Sequence, residues 1–230
     1  MRVLFILPII LFIILVVIFV QLYFLKNSIS SYKKYWQSRA QEQGNLTLVV
    51  LGDSAAQAIG ASKPEQGYVG QIASKIERTS SKKVRVVNLS VSGARVKDVI
   101  DTQLPLLSKY NPDIVIVEVG GNDVANVFNA KLFEEQYETL AKALPKETIV
   151  ANIPYFGGRI RKNSEAIIAS TIIAQLAEEH NLNLVDLQDE TKKNDSWLNY
   201  SIDLFHPNNR GYEIWQNAFW PAVVTKITEK

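Results

Sequence analysis

The sequence of 230 residues has no cysteine and only two histidines, His180 and His206. Without cysteine there is no disulfide staple, no Cys-ligated zinc or iron–sulfur site, no thiol nucleophile and no lipidated Cys to serve as a membrane anchor. The redox compartment stays open, because a cysteine-free chain suits either. Charge of one sign is lacking as well: 25 basic against 23 acidic residues leave a net charge of +2, which gives no electrostatic case for nucleic acid. Two distant histidines fall short of a metal site unless carboxylates supply the remaining ligands, and no cofactor is expected. There is no internal repeat and no interior linker. At 47% hydrophobic and 21% charged, with 11 Gly and 8 Pro, the chain is neither disordered nor collagen-like.

What is present begins with a long apolar run. Residues 3–20 carry no charged or polar side chain, and after Gln21 the run continues to Leu25 before Lys26. About 20 residues at 1.5 Å each cross a bilayer core, so the run is long enough to span one. It is too long for the apolar region of a cleaved signal peptide, and only residues 28–30 (Ser-Ile-Ser) resemble a cleavage site. A buried core helix would show a polar face, which this run lacks. An uncleaved single-pass anchor over residues 1–25 is expected, followed by a polar stalk over 26–44. Tyr32, Tyr35 and Trp36 lie among basic residues there and suit either a plain helical stalk or the lipid headgroup region. Arg2 precedes the span, whereas Lys26, Lys33, Lys34 and Arg39 follow it, which by the positive-inside rule alone would keep the domain in the cytoplasm. Long translocated domains override a modest bias and only Lys26 abuts the span, so an extracytoplasmic domain is expected.

Residues 45–230 suffice for one domain with a full core. Five short apolar runs, at 46–51, 83–89, 113–119, 148–153 and 182–187, read as buried strands. Between them lie segments of helical period at 68–78, 96–110, 131–144 and 164–181, and a last one at 210–227 that Pro221 should break or kink. Such alternation predicts an α/β fold with a five-stranded parallel sheet covered on both faces. Ligands of these sheets bind beyond the carboxyl ends of the strands.

The first three of those ends are chemically distinctive. Gly52-Asp53-Ser54 follows the first strand, Asn88 and Gly93 the second, and Gly120-Gly121-Asn122-Asp123 the third; Asp203 and His206, followed by Pro207, precede the last helix. Taken singly, each reads as a turn, a helix cap or a surface loop. Together and in this order they supply what acyl transfer needs: a nucleophile, a base, a group orienting the base, and donors for an oxyanion. Ser54 is expected at a strand-to-helix turn near a helix N-terminus. Asp203 can bond one imidazole nitrogen of His206 while the other faces Ser54. The N–H groups of Ser54 and Gly93 and the side-chain amide of Asn122 can converge on one oxygen.

The set resembles the SGNH hydrolases, also called the GDSL esterase/lipase superfamily, over about residues 46 to 225. The family's four blocks match Gly52-Asp53-Ser54, then Asn88 with Gly93, then Gly120 to Asp123, then Asp203 with His206. The resemblance implies a three-layer, flavodoxin-like α/β/α sandwich and metal-free hydrolysis of esters or thioesters, with Ser54 as nucleophile. Arg95 stands where the second block commonly has Thr; it sits at the mouth to favour anionic substrates or starts a helix in solvent.

The remaining candidates are weaker. His180 is expected to end a helix. The loop 155–159 can line a substrate pocket or be an ordinary mobile loop. Trp215 and Phe219 read as core packing, and Trp220 as the place where the last helix ends. The expected substrate is a small-molecule or lipid ester: a lysophospholipid or acyl thioester, or an O-acetylated sugar of the cell envelope. The competing reading is a catalytically silent anchored α/β binding module. Nucleotide binding fits poorly, because the sequence after the first strand is neither GxGxxG nor a P-loop.

Overall fold

The structure is a computed structural model and describes residues 3–228, so Arg2 lies outside the described residues. Helix α1 (Val3–Arg39) precedes strand β1 (Leu46–Gly52), helix α2 (Tyr68–Ser80) and strand β2 (Val84–Asn88). A helical stretch follows as α3 (Val96–Asp98), a π-turn (Val99–Gln103) and α4 (Leu104–Leu107). Then come β3 (Ile114–Glu118), α5 (Gly121–Ala125), α6 (Ala130–Ala143), β4 (Ile149–Ala151), α7 (Asn163–Glu179), β5 (Asn183–Val185), α8 (Leu187–Lys193) and α9 (Asn209–Thr228).

The five strands form one parallel sheet in the order β2-β1-β3-β4-β5. Alternate residues of β1 feed opposite faces. Leu46, Leu48 and Val50 join α2 and α9 in one half of the core, while Val49 and Leu51 join α6 and α7 in the other. The result is the three-layer sandwich expected, with every strand shorter than or within about a residue of its apolar run. Three helices differ from expectation. The short α5 follows β3 and the short α8 follows β5. Helix α9 continues through Pro221 because its buried stripe of Tyr212, Trp215, Phe219, Val223 and Ile227 runs past the proline. Burying that stripe outweighs the roughly 3 kcal/mol cost of an interior proline. Phe219 stacks on Tyr68 of α2 at 5.1 Å, and Trp220 lies mid-helix with Lys75 over its ring.

Helix α1 is long and apolar enough over its N-terminal part to cross a membrane by length and composition. It does not stop at Lys26. The residues expected to form a polar stalk are helical to Arg39, and one face of them packs on the domain. Trp36 is 2% exposed within the core, and its indole N–H donates to the Gln57 carbonyl at 3.1 Å. Tyr32 donates to the Ala61 carbonyl at 2.8 Å, and Arg85 of β2 reaches back to the Ala40 carbonyl at 2.9 Å. Trp36 therefore serves the protein core, with Tyr32 and Tyr35 partly buried against it. Trp36→Ala should destabilise the domain by about 3–5 kcal/mol in denaturant titrations of the detergent-solubilised full chain. Ile13→Ala, on the exposed part of the same helix, should leave the midpoint unchanged within about 0.5 kcal/mol.

Candidate active site

The parallel register sets Val50 beside Asn88 and Gly52 beside Glu118, so the loops leaving β1, β2 and β3 emerge together. Gly52 is gripped by a side chain from the π-turn: its N–H donates to Gln103 Oε1 at 2.9 Å, and Gln103 Nε2 donates to its carbonyl at 2.8 Å. The wider turn of a π-helix aims Gln103 inward here. Ser54 comes two residues later and is 6% exposed. Contrary to the strand-to-helix turn expected from the sequence, it does not start a regular helix; residues 54–61 form a run of turns in which Ile59 N–H bonds the Ser54 carbonyl at 3.0 Å. Ala58 at φ 71° and Gly60 at φ 96° interrupt any helical path.

Ser54 Oγ lies 2.9 Å from His206 Nε2, and His206 Nδ1 lies 2.5 Å from Asp203 Oδ2. Asp203 Oδ1 also accepts the backbone N–H groups of Phe205 and His206, each at 3.1 Å. The loop between them is closed by a bridge between Tyr200 and Pro207. Burial acts to raise the Asp203 pKa, but the His206 ring and those two N–H groups outweigh it and hold the carboxyl below its ordinary value. An imidazole oriented by an ionised carboxylate on one side and bonded to a hydroxyl on the other can accept that hydroxyl's proton during attack on a carbonyl.

The three expected oxyanion donors are differently disposed. Among the described residues, the N–H groups of Ser54 and Gly93 meet no protein acceptor. Gly93 has φ 82°, a conformation only glycine adopts without strain, and a Cβ there would point into open space. Asn122, in α5, already spends its amide: Nδ2 donates to Asp53 Oδ2 at 2.8 Å and to the Ala94 carbonyl at 3.1 Å. Asn88 stitches two loops, donating to the Ala56 carbonyl at 2.7 Å and accepting from Ser90 N–H at 3.1 Å. Arg95 is exposed at the start of α3 and lines a separate depression with Asp98 and Asp123. His180 caps the C-terminus of α7, at the end of the sheet away from Ser54.

Beside Gln103, two more residues that sequence reading passed over shape the site. Buried Gln57 donates to the Ser90 carbonyl at 2.8 Å and accepts from Ser92 Oγ at 2.6 Å, so it fixes the loop that carries Gly93. Glu118, 3% exposed at the end of β3, has Oε2 without a hydrogen-bond partner. Nothing in a lone Gln or in a Glu ending an apolar strand signals such a position. Among the described residues, no three metal-ligating side chains gather.

Burial dominates the acids behind Ser54. It pushes Asp53 up to about 6 against the hydrogen bonds from Ala55 and Asn122, and it pushes Asp123 up to about 6 against the Val96 N–H. Burial, with Asp53 beside it, drives Glu118 well above the carboxylate range. A carboxyl with a raised folded-state pKa keeps its proton where the unfolded chain has lost it, so the contribution of Asp53 or Asp123 to stability falls as pH rises from about 4 to about 6 and is level above. Asp123→Asn removes one such slope. In denaturant titrations from pH 4 to 8, its stability should gain steadily on the wild type up to about pH 6, with a constant difference beyond. Parallel curves would contradict the placement of Asp123.

Residues 50–214 match the GDSL-like Lipase/Acylhydrolase family. The acetylxylan esterase of Geobacillus stearothermophilus is 26% identical over 203 residues, covering 75% of this chain and 91% of that one. Esterase TesA of Pseudomonas aeruginosa is 34% identical over 83 residues; the match takes in 36% of this chain and spans only 40% of TesA's own length. The crystal structure of the psychrotrophic esterase EstA from Pseudoalteromonas sp. superposes with a TM-score of 0.63 at 22% identity, over 80% of this chain and all (100%) of that one, which shows a shared fold. With the family matched across most of the sheet and its loops, the chain belongs to the GDSL-like lipase/acylhydrolase family of ester-hydrolysing enzymes.

Proposed function

We propose that this chain is a membrane-anchored serine esterase in which Ser54 attacks the ester carbonyl and His206 relays the proton. Asp203 holds the imidazole in register. The single observation that carries the reading is the unbroken hydrogen-bonded chain from Asp203 through His206 to Ser54. Attack by Ser54 Oγ transfers its proton to His206 Nε2 and moves negative charge onto the carbonyl oxygen. The N–H groups of Ser54 and Gly93 receive that charge, joined by the Asn122 amide once it gives up one of its two acceptors. His206 returns the proton to the departing alcohol or thiol. Water, activated by the same imidazole, then releases the acyl group and frees Ser54.

The anchor covers residues 1–25, the juxtamembrane segment 26–44 and the hydrolase domain 45–230, with the domain on the extracytoplasmic side. Two features support an uncleaved anchor. The Ser-Ile-Ser triplet at 28–30 lies inside α1 with Ser28 buried, and Trp36 ties the same helix to the core. A groove of about 870 Å³ between residues 21–32 of α1 and the loops 60–62, 200–202 and 208–210 brings the His206 loop beside the end of the apolar run. This favours an ester presented close to a bilayer. Two substrate classes meet that condition: a lysophospholipid or acyl thioester, and an O-acetylated envelope sugar. The acetylxylan esterase relative, matched over nearly its whole length, supports the second.

Ser54→Ala should abolish turnover of a chromogenic acetyl ester by the full chain in detergent. Asn122→Ala should lower kcat by about two to three orders of magnitude with KM less affected. Full activity in Ser54→Ala would overturn the assignment.

A further inference from the structure

Beside Ser54 and His206 lies a cavity of about 40 Å³. A cavity that holds one water needs about 10–15 Å³, so the space takes about three non-hydrogen atoms, the size of a short acyl group. Phe156, Ile160, Leu204 and Phe205 line it. Arg159 and Tyr200 close it further.

Arg159 is unusual for a pocket lining, because its side chain is only 3% exposed. Its guanidinium lies 3.5 Å from the centre of the Tyr200 ring and donates to the Tyr200 hydroxyl at 2.6 Å, to the Tyr155 carbonyl at 3.1 Å and to Asp195 at 2.7 Å. With its charge matched by Asp195 and its donors committed, Arg159 is poorly placed to bind an anionic substrate. It acts as a strut that ties the 155–160 loop to the turn at Asp195 and to the loop that carries His206. Gly157 shows how closely this is built: a Cβ there would stand 3.0 Å from both the Arg159 guanidinium and the Asp195 carboxylate. The wall is therefore pinned from three directions.

An alcohol attached to a polymer or a lipid needs an open path away from Ser54, whereas an acyl group may end inside the protein. The walled space thus suits the acyl side of the ester. We propose that Arg159, Tyr200 and Asp195 close this acyl pocket to two- or three-carbon groups, so that the substrates are acetyl-sized esters and not long-chain lipids. The inference rests on Ser54 being the nucleophile.

The test is kcat/KM of the full chain in detergent for p-nitrophenyl esters from acetyl to hexanoyl. An open apolar pocket gains about fourfold per added methylene. A closed one should lose about tenfold or more across the series, as overpacked sites do. Arg159→Ala should shrink the acetyl-to-hexanoyl ratio about tenfold. Ile160→Ala should move the ratio the same way without breaking the ion pair, which keeps the test decisive if loss of Arg159 unfolds the loop; thermal melting identifies that case. A flat or rising series in the active wild type overturns the inference alone, as does an unchanged ratio in folded variants. Inertness toward every ester overturns the Ser54 reading and the inference with it.

Discussion

The candidate site depends on one constraint, the clamping of β1 between β2 and β3 in parallel register. Because the three strands run parallel and end within two residues of one another in register, the loops carrying Ser54, Gly93 and Asn122 leave the sheet side by side. Side chains then tie the loops together. Gln103 holds both backbone polar groups of Gly52, Asn88 holds the Ala56 carbonyl, and Asn122 holds Asp53. Ser54 is positioned by these bonds and not by a helix start. The fourth contribution comes from the far end of the chain, where the packing of α9 on α2 carries the Asp203–His206 loop over the mouth of the sheet.

A second consequence concerns α1. Trp36 donates to the Gln57 carbonyl, and the Gln57 side chain grips Ser90 and Ser92 just before Gly93. A continuous series of contacts therefore links the N-terminal helix to the glycine loop beside Ser54. Tyr32 and Arg85 add two more ties between the helix and the domain. The groove between residues 21–32 of α1 and the 200–202 loop follows from that docking.

Much of this was legible in the residues. Strands buried on both faces read as uninterrupted Val, Ile and Leu runs, and the four polar motifs stand where those runs end. Local pattern failed where tertiary contacts decided the outcome. Trp36 sits among lysines and serines, so its burial is invisible until the domain packs on that face. Pro221 is overridden by an apolar stripe on both sides of it. The turns after Ser54 depend on positive φ at Ala58, which composition does not announce. Gln57 and Gln103 look like ordinary surface residues in a one-dimensional reading and Glu118 is a lone acid in an apolar run, yet their polar atoms are committed within the interior or left there unpartnered. Arg159 reads as part of a loop that either lines a pocket or is ordinary, and only its partners at Asp195 and Tyr200 reveal a structural strut.

The central claim is that Ser54 is an activated nucleophile, and covalent labelling of the full chain with a fluorophosphonate probe tests it most directly. Peptide mass spectrometry should find the adduct on Ser54 alone, and the labelling rate should collapse in His206→Ala while the protein stays folded. A folded wild-type protein that takes up no label, or takes it up at another residue, would contradict the account.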